Sequence, residues 1–367
     1  MYCRFCKLLI LFYALIFYSI KIFSQTEPVR SSGKKQTINN QKKGLFDNDE
    51  ILHFKLTGKL ADLFNDRKQN IAYHPVLLQY ERNDSSTVSI QIKAKARGNF
   101  RRLKANCKMP PLMLNLPKEL RLKNSIFEKQ TKLKLVVPCQ GDEYVIREWL
   151  VYKLYNLITE KSFRSRLALV DFVDSAGQRK TETLYCILLE DEIKLAERNK
   201  VLLIEKTLQM ENINRIEFTR MAVFQYMIAN TDWSIPFMQN IKLIKPDSTG
   251  APLAIPYDFD HAGIVNAPYA GAAPELEITS ILQRIYRGYC NTNKLDFTET
   301  FEFFNRLKND IYGVYTNCAL LNPKYVKFVT RFLDDFYKTI NNDKLINEEF
   351  NKPCRTNIRI ELKGLKD

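Results

Sequence analysis

The sequence predicts an α+β fold in which a β-rich N-terminal part precedes a mostly helical C-terminal part. Before residue 190, short segments of alternating apolar and polar residues are separated by turn residues, which is typical of β-hairpins. After residue 190, apolar residues recur at helical spacing. The composition is 45% apolar and 26% charged, so the chain can bury a sizeable core and is not a disordered protein.

The β-rich part is predicted to contain two hairpins joined by short strands and one helix. Strict alternation over 87–96 pairs this segment with 76–81 through a turn at 83–86. The second hairpin joins 166–173 to 182–189 through a turn at 174–177. Between the hairpins we expect short extended pieces at 112–116 and 132–137, followed by a helix over 143–159.

The C-terminal part is predicted to be helical, with two short β segments. Helices are expected over 215–229, 297–314 and 323–340, and β segments at 241–244 and 253–255. Pro323 suits the first turn of the last helix, and Asn322 precedes it as an N-cap.

The N-terminus has the three-part layout of a secretory signal peptide. Arg4 and Lys7 precede an unbroken apolar run over 8–20, which is shorter than the roughly 20 residues that cross a bilayer. We therefore expect a signal peptide at 1–24 and no transmembrane span in the mature chain, with an uncleaved anchor as the alternative. The predicted location is outside the cytoplasm: the periplasm, the cell surface or the medium. A flexible tether follows at 25–45, then a β-rich lobe at 46–190 and a helical lobe at 191–367.

Export changes how the cysteines and the charge are interpreted. Six cysteines remain after residue 24, none in a CxxC pair, so disulfides are expected and a structural zinc site is not. The formal charge of +15 becomes +12 once Arg4, Lys7 and Lys21 are removed, because 53 basic residues remain against 41 acidic ones. For an exported protein this charge favours an acidic protein or an anionic envelope surface as partner, and not nucleic acid.

The most informative stretch for chemistry is 230–263. Here Asp232 follows a predicted helix, Asn240 leads into a short strand, and Asp258 and Asp260 follow a second strand. Carboxylate and amide oxygens suit Mg²⁺ bound together with a polyphosphate. Phosphoryl transfer also needs an Asp that orients the attacking hydroxyl group and a Lys on the phosphates.

The predicted phosphate-binding lysine is Lys132 or Lys134. Both residues lie on one face of a strand that directly precedes the helix over 143–159. A kinase pairs such a lysine with a helix glutamate, for which Glu143 and Glu148 are the alternatives.

These motifs, in this order, resemble the spore-coat CotH family of atypical, kinase-like proteins. The resemblance covers about half of the chain, from roughly residue 90 to residue 263. It rests on Ala96-Arg97-Gly98-Asn99-Phe100, Ile146-Arg147-Glu148, Thr183-Leu184-Tyr185 to Glu190, Asn230-x-Asp232 to Asn240, and Tyr257-Asp258-Phe259-Asp260.

The resemblance implies a bilobal protein-kinase-like fold that binds ATP and Mg²⁺ in an interlobe cleft, with a protein or envelope component as the expected phosphate acceptor. Asp232 would be the catalytic carboxylate. Asn240 and Asp258 would hold the metal, with Asp260 as the alternative to Asp258. The implied nucleotide-binding residues are Arg97, Gly98, Lys132 or Lys134, Glu148, and Glu190 at the hinge.

Two other functions stay open on the sequence. The eight-residue step from Asp232 to Asn240 and the lack of a Gly-rich loop suit a non-catalytic pseudokinase or an envelope assembly module. A metal-dependent hydrolase could use the same carboxylates, but the chain lacks the histidine ligands usual for such sites.

Overall fold

The computed structural model describes residues 44–68, 70–117, 122–247, 249–272, 274–289 and 294–351. The predicted signal peptide and most of the predicted tether lie outside these ranges. No helix within them is both long and apolar enough to span a membrane.

Seven strands of the N-terminal part close into a β-barrel. The barrel order is β1-β2-β3-β4-β5-β7-β6. Neighbouring strands are antiparallel except β1 and β6, which pair in parallel from Leu52 opposite Ala168 to Gly58 opposite Asp174. The strands are β1 (Leu52–Gly58), β2 (His74–Glu81), β3 (Thr87–Ala96), β4 (Leu112–Asn115), β5 (Lys132–Val136), β6 (Ser165–Asp174) and β7 (Glu182–Leu189).

The barrel overturns the predicted bilobal protein-kinase-like fold, although the mixture of strands followed by helices is as expected. A kinase N-terminal lobe is not typically a closed barrel. The closure comes from β1, which the sequence analysis did not identify as a strand. Because β1 pairs with β2 on one side and with β6 on the other, it joins the two predicted hairpins and leaves no open sheet edge between them.

Alternation along the barrel strands directs one set of side chains into an apolar interior. In β1, Leu52, Phe54 and Leu56 are buried, whereas the residues between them are exposed. The short helix α1 (Leu60–Asn65) adds four buried side chains directly after β1, among them Phe64, whose ring meets Phe172 at 5.8 Å. This interior is one continuous hydrophobic cluster built from all seven strands.

The remaining elements form a second hydrophobic cluster around α2. Two short strands, β9 and β10, follow α4 and pair with each other, and β8 completes a three-stranded sheet. The elements outside the barrel are α2 (Asp142–Ile158), α3 (Glu192–Asn199), β8 (Leu202–Ile204), α4 (Arg215–Met227), β9 (Ile241–Lys245), β10 (Leu253–Pro256), α5 (Lys294–Arg306), α6 (Lys308–Thr316), α7 (Pro323–Ile340) and α8 (Asp343–Glu349).

Most predicted helices match these elements. The structure confirms α7 with Asn322 as its N-cap, because the Asn322 side chain accepts a hydrogen bond from the Tyr325 amide. The single helix predicted over 297–314 is instead two helices that meet at Leu307. Both are amphipathic, so periodicity alone does not reveal the break.

One disulfide bond confirms the expectation raised by the cysteine content. Cys107 pairs with Cys139, whereas Cys186 and Cys318 are free thiols. Cys290 and Cys354 lie outside the described residues. The bond joins the β3–β4 loop to the β5–α2 loop.

Candidate functional site

Asp232 and Asn240 lie together in the loop that follows α4. The side-chain Nδ2 of Asn240 donates to both the backbone oxygen and the carboxylate Oδ2 of Asp232, each at 2.9 Å. Between them, Ser234 and Gln239 form an antiparallel bridge. The eight-residue step therefore closes as a small loop that returns Asn240 to Asp232.

The buried Asn230 fixes the start of this loop. Its Oδ1 accepts from the Asp232 amide, and its own Nδ2 donates to Gln225 in α4. The Trp233 indole donates to the Asn230 backbone oxygen. Asp232 is thus held by its neighbours on both sides, which is what a positioned reactive group requires.

Asp258 and Asp260 follow β10 and reach the same region. The Tyr257 amide donates to the Asn240 backbone oxygen at 3.0 Å, so the two loops are directly joined. The Asp258 amide donates to the Tyr152 hydroxyl in α2. Asp258 and Asp260 both act electrostatically on Asp232.

Arg101 occupies the centre of these acidic groups. Its Nη2 lies 3.3 Å from Glu148 and 3.0 Å from Asp258, and its Nε lies 3.1 Å from Asp260. Its side chain is only 7% exposed. We call Arg101, Glu148, Asp258 and Asp260 the Arg101 cluster. One cation faces three carboxyl groups here, so the cluster carries excess negative charge when all are ionised.

The loop that carries Arg101 is anchored at several points. Arg67 donates to the backbone oxygens of Arg102, Cys107 and Lys108. The disulfide from Cys107 to Cys139 ties the loop to the segment that leads into α2, the helix of Glu148. Arg101 and Glu148 are therefore fixed relative to each other by covalent and hydrogen-bonded links.

The Arg101 cluster shifts the acidity of its members in opposite directions. Burial raises the pKa of Glu148 to about 8 although Arg101 opposes this shift. For Asp258, burial also favours a higher pKa, but Arg101 and Arg97 outweigh it and the net shift is downward. Burial raises the pKa of Asp232, with His261 opposing. The site therefore holds carboxyl groups of different proton affinity within one small region.

Two features mark this region as more than scaffold. Asn240 and Asp258 have left-handed backbones, with φ of 50° and 60°, which non-glycine residues rarely adopt. Such conformations cluster at functional sites. The Glu148 Oε1, Arg101 Nη1 and His261 Nδ1 atoms are buried and have no hydrogen-bond partner among the described residues. Buried polar atoms are usually paired, so these three indicate a place where a further polar group fits.

Lys134 is buried while Lys132 is exposed at the start of β5. The Lys134 ammonium lies 3.1 Å from Glu192 and over the Tyr257 ring at 4.9 Å. The predicted helix partners were thus wrong for this lysine: Glu148 pairs with Arg101, and Glu143 is exposed. Burial lowers the pKa of Lys134, and the nearby Arg97 adds to this shift.

Arg97 and Gly98 lie at the exit of β3. Arg97 acts electrostatically on both Lys134 and Asp258, which places its charge beside the candidate site. Gly98 has φ of 86° and nothing within 4 Å of where a Cβ would be. Its conformation, and not crowding, requires glycine at this turn.

Glu190 follows β7 at the predicted hinge position. Its carboxylate accepts two hydrogen bonds from Arg198 in α3, at 3.0 and 2.9 Å, and one from the Arg164 amide. It borders a cleft of about 980 Å³ that none of the Arg101 cluster residues lines. Glu190 therefore ties α3 to the barrel, apart from the converging acidic groups.

A magnesium ion carried by a nucleotide fits the donors present. Among the described residues, no group of three or more His, Cys, Asp or Glu side chains is placed to hold a metal ion. Mg²⁺ bound with a polyphosphate needs only one or two protein carboxylates, because phosphate oxygens and water supply the rest. Asp258, 36% exposed, and the neighbouring Asn240 have the required oxygen chemistry.

Sequence reasoning missed Arg101. The sequence-based prediction gives Arg101 no role, but its side chain is buried among carboxylates. A signal was available in α2, where Glu148 sits among apolar residues (VIREWLVYKL) on a helix that packs in the core. A buried glutamate needs a cation or hydrogen-bond partner, and a basic run after a neighbouring strand could have supplied it.

No protein-family model matches the chain, and no curated protein matches it. The chain is similar to the crystal structure of a Helicobacter pylori proinflammatory kinase, CtkA. The two are 14% identical, with a TM-score of 0.40 over 67% of this chain and 92% of that chain. A TM-score this low does not establish a common fold.

Proposed function

We propose that the chain binds a magnesium–nucleotide at the Arg101 cluster and transfers its terminal phosphate to a hydroxyl group of a protein or envelope component. One observation carries this proposal. The loop that holds Asp232 against Asn240 is hydrogen-bonded directly to the loop of Asp258, and Asp258 is paired with Arg101. Phosphoryl transfer depends almost entirely on positioning and on neutralising charge, and this site supplies both kinds of group.

Each residue has a role that follows from its position. Asp232, fixed by Asn230 and Asn240, orients the attacking hydroxyl and accepts its proton. The hydroxyl oxygen bonds the terminal phosphorus as the bond from that phosphorus to the nucleoside diphosphate breaks, and the diphosphate leaves. Arg101 holds Asp258 and Asp260 in place, and the buried Lys134 together with Arg97 neutralises the phosphates. Asp258 and Asn240 would hold Mg²⁺, which neutralises phosphate oxygens when bound.

A second candidate function is supported by the same ion pairs. Arg101 already neutralises Asp258 and Asp260, at 3.0 and 3.1 Å. A cation fixed in this place favours a protein that binds a ligand or partner at the cluster without catalysis. The two candidates differ in whether phosphate is transferred.

Two measurements test the proposal. Mg²⁺ with ATP at about 100 times its dissociation constant should stabilise the folded protein by about 2.7 kcal/mol in thermal unfolding. Radiolabelled phosphate should appear on protein with wild type and with Asp62→Ala, an exposed aspartate in α1, but not with Asp232→Ala.

The outcomes separate the candidates. Stabilisation without transfer would establish the binding-only function. If Mg²⁺ with ATP stabilises neither wild type nor Asp62→Ala, the nucleotide site is wrong.

A further inference from the structure

A basic groove lies beside α7, away from the Arg101 cluster. It has a volume of about 520 Å³ and is lined chiefly by Arg284, Lys324, Lys327, Phe328, Arg331 and Phe332. Lys324, Lys327 and Arg331 recur at positions i, i+3 and i+7 of the helix, so they project from one face. All three are exposed.

The charge of the groove is strongly unbalanced. Lys324, Lys327 and Arg331 form no ion pair with any described residue. Asp335 is the one acidic residue lining the groove, against four basic ones. A concave site lined by charge of one sign concentrates ligands of the opposite charge.

The floor of the groove is apolar and rigid. The Arg284 guanidinium covers the Phe332 ring at 3.9 Å and donates to the backbone oxygens of Met227 and Phe332. Phe328 packs against Phe332 with ring centroids 5.8 Å apart. Because Arg284 covers Phe332, the apolar contact that the groove offers comes from Phe328 and Leu282, beside the cations at its rim.

The segment that forms one wall of the groove also reaches the candidate catalytic loop. Leu282 and Arg284 line the groove, and three residues later Arg287 donates to the backbone oxygens of Thr231 and Trp233, both at 2.6 Å. These two oxygens flank Asp232. A ligand in the groove would thus lie along the segment that braces Asp232.

Gly263 determines how closely the segment that begins at Ile281 approaches the loop after β10. A Cβ at Gly263 would lie 2.3 Å from the Ile281 backbone oxygen. Only glycine allows this contact, which holds the start of the segment against the residues that follow Asp258 and Asp260.

We propose that the basic groove binds an acidic segment of a polypeptide that contains apolar residues. Combined with the proposed function, on which this step rests, the groove makes acidic proteins the class of phosphate acceptor. Charge complementarity selects an acidic ligand, and the apolar floor selects one with hydrophobic side chains between its carboxylates.

The shape of the groove favours a polypeptide over a membrane surface. A protein that lies on a bilayer inserts protruding apolar side chains between the lipids. Here Phe332 is buried at the floor and Phe328 is half-buried. Leu282 is the one exposed apolar side chain of the groove, beside three exposed cations and the exposed Asp335. Nucleic acid is less suited because Arg284 covers the Phe332 face on which a base would stack.

Fluorescence anisotropy tests the groove without any nucleotide. The probe is a fluorescein-labelled synthetic 12-residue peptide of Glu and Asp with two Phe residues, and the charge control replaces its acidic residues with Lys. Wild type should bind the acidic peptide and not the basic one, with affinity falling as salt rises. The variant K324E/K327E/R331E should bind at least about tenfold more weakly.

A matched triple variant controls for net charge. Lys55, Lys59 and Lys93 are exposed lysines of the barrel region, so K55E/K59E/K93E changes the total charge equally and should bind like wild type. Equal loss in both variants, or tighter binding of phosphatidylserine vesicles or single-stranded RNA than of the peptide, overturns the proposal. Circular dichroism and thermal unfolding confirm that each variant is folded.

A second measurement separates this inference from the proposed function. Phosphate transfer to an acidic protein should exceed transfer to a neutral one, and K324E/K327E/R331E should abolish that preference. Peptide binding without any phosphate transfer would support the groove and contradict the proposed function. Phosphate transfer without peptide binding would do the reverse.

Discussion

The Arg101 cluster and the pairing of Glu190 with Arg198 are two buried ionic arrangements with opposite ratios of acidic to basic groups. At Glu190, both carboxylate oxygens receive hydrogen bonds and one acid meets two arginines. At Arg101, one cation meets three carboxyl groups, and buried atoms of Glu148 and Arg101 have no partner among the described residues. Arg164 Nε also has no hydrogen-bond partner among the described residues, but the Glu190 carboxylate itself is fully hydrogen-bonded. A fully hydrogen-bonded carboxylate stabilises the fold, whereas the unpaired carboxyl oxygen of Glu148 is available for a ligand.

The largest expected effect is at Glu190. Glu190→Ala leaves Arg198 and Arg164 beside an empty buried space and should lower the free energy of unfolding by about 3 to 5 kcal/mol. Urea denaturation measures this. The control is Glu197→Ala. Glu197 is exposed and pairs with Lys194, so its loss should lower the free energy of unfolding by less than about 1 kcal/mol. Equal losses in the two variants would show that Glu190 has no special structural role.

The pH dependence of the unfolding free energy tests the Glu148 side of this comparison. Because the pKa of Glu148 is raised from 4.5 to about 8, the folded state retains a proton that the unfolded state loses. Its stabilising contribution is therefore complete below pH 4.5 and is lost as pH rises to about 8. Glu148→Gln, which cannot ionise, should reduce the decline in unfolding free energy between pH 5 and pH 8 by about 3 to 4 kcal/mol. An unchanged decline, measured by denaturation at several pH values, would contradict this.

Glu192 should respond to pH in the opposite direction. Burial favours a higher pKa, but Lys134 and Lys242 outweigh it and lower the pKa of Glu192 from 4.5 to about 2. Its contribution is present above pH 4.5 and is lost as pH falls towards 2. Glu192→Gln should therefore cost about 1 to 2 kcal/mol at pH 6 and clearly less at pH 3. A cost that is the same at both pH values would rule out the ionic contribution.

The smallest effect is expected at Gly98. Because its φ of 86° disfavours a side chain while the space around it is open, Gly98→Ala should cost about 1 kcal/mol from backbone conformation alone. Gly271 is the control, since it also has open space but no left-handed φ, and Gly271→Ala should be nearly neutral. Chemical denaturation of both variants distinguishes conformation from packing. Equal costs would mean that the β3 exit does not require glycine.

Local patterns in the sequence were sufficient for most individual elements. The alternation over 87–96 coincides with β3, because a strand with one face in the core must alternate. The apolar run that ends the predicted strand over 182–189 coincides with β7, whose last four residues are all buried. Closure of the barrel was not predictable in this way. It depends on the pairing of β1 with β6, more than 100 residues later, and the local pattern of neither strand shows which strand it pairs with.

The acidic side of the candidate site was easier to predict than the basic side. Asp232, Asn240, Asp258 and Asp260 lie within 29 residues of one another at the ends of short elements, so local reasoning placed them together. Arg101 comes from a loop 157 residues before Asp258. Lys132 and Lys134 lie on the same face of β5, so alternation along the strand does not distinguish them. Lys134 is distinguished by its burial against the rings of Tyr257 and Phe163.

Calorimetric titration with Mg²⁺ and a non-hydrolysable ATP analogue tests most directly the claim that the unsatisfied cluster is a nucleotide site. Wild type and Asp62→Asn should bind the analogue only when Mg²⁺ is present, and Asp258→Asn should weaken binding by about tenfold or more. Binding of equal strength in all three proteins, or no binding to wild type, would contradict the account.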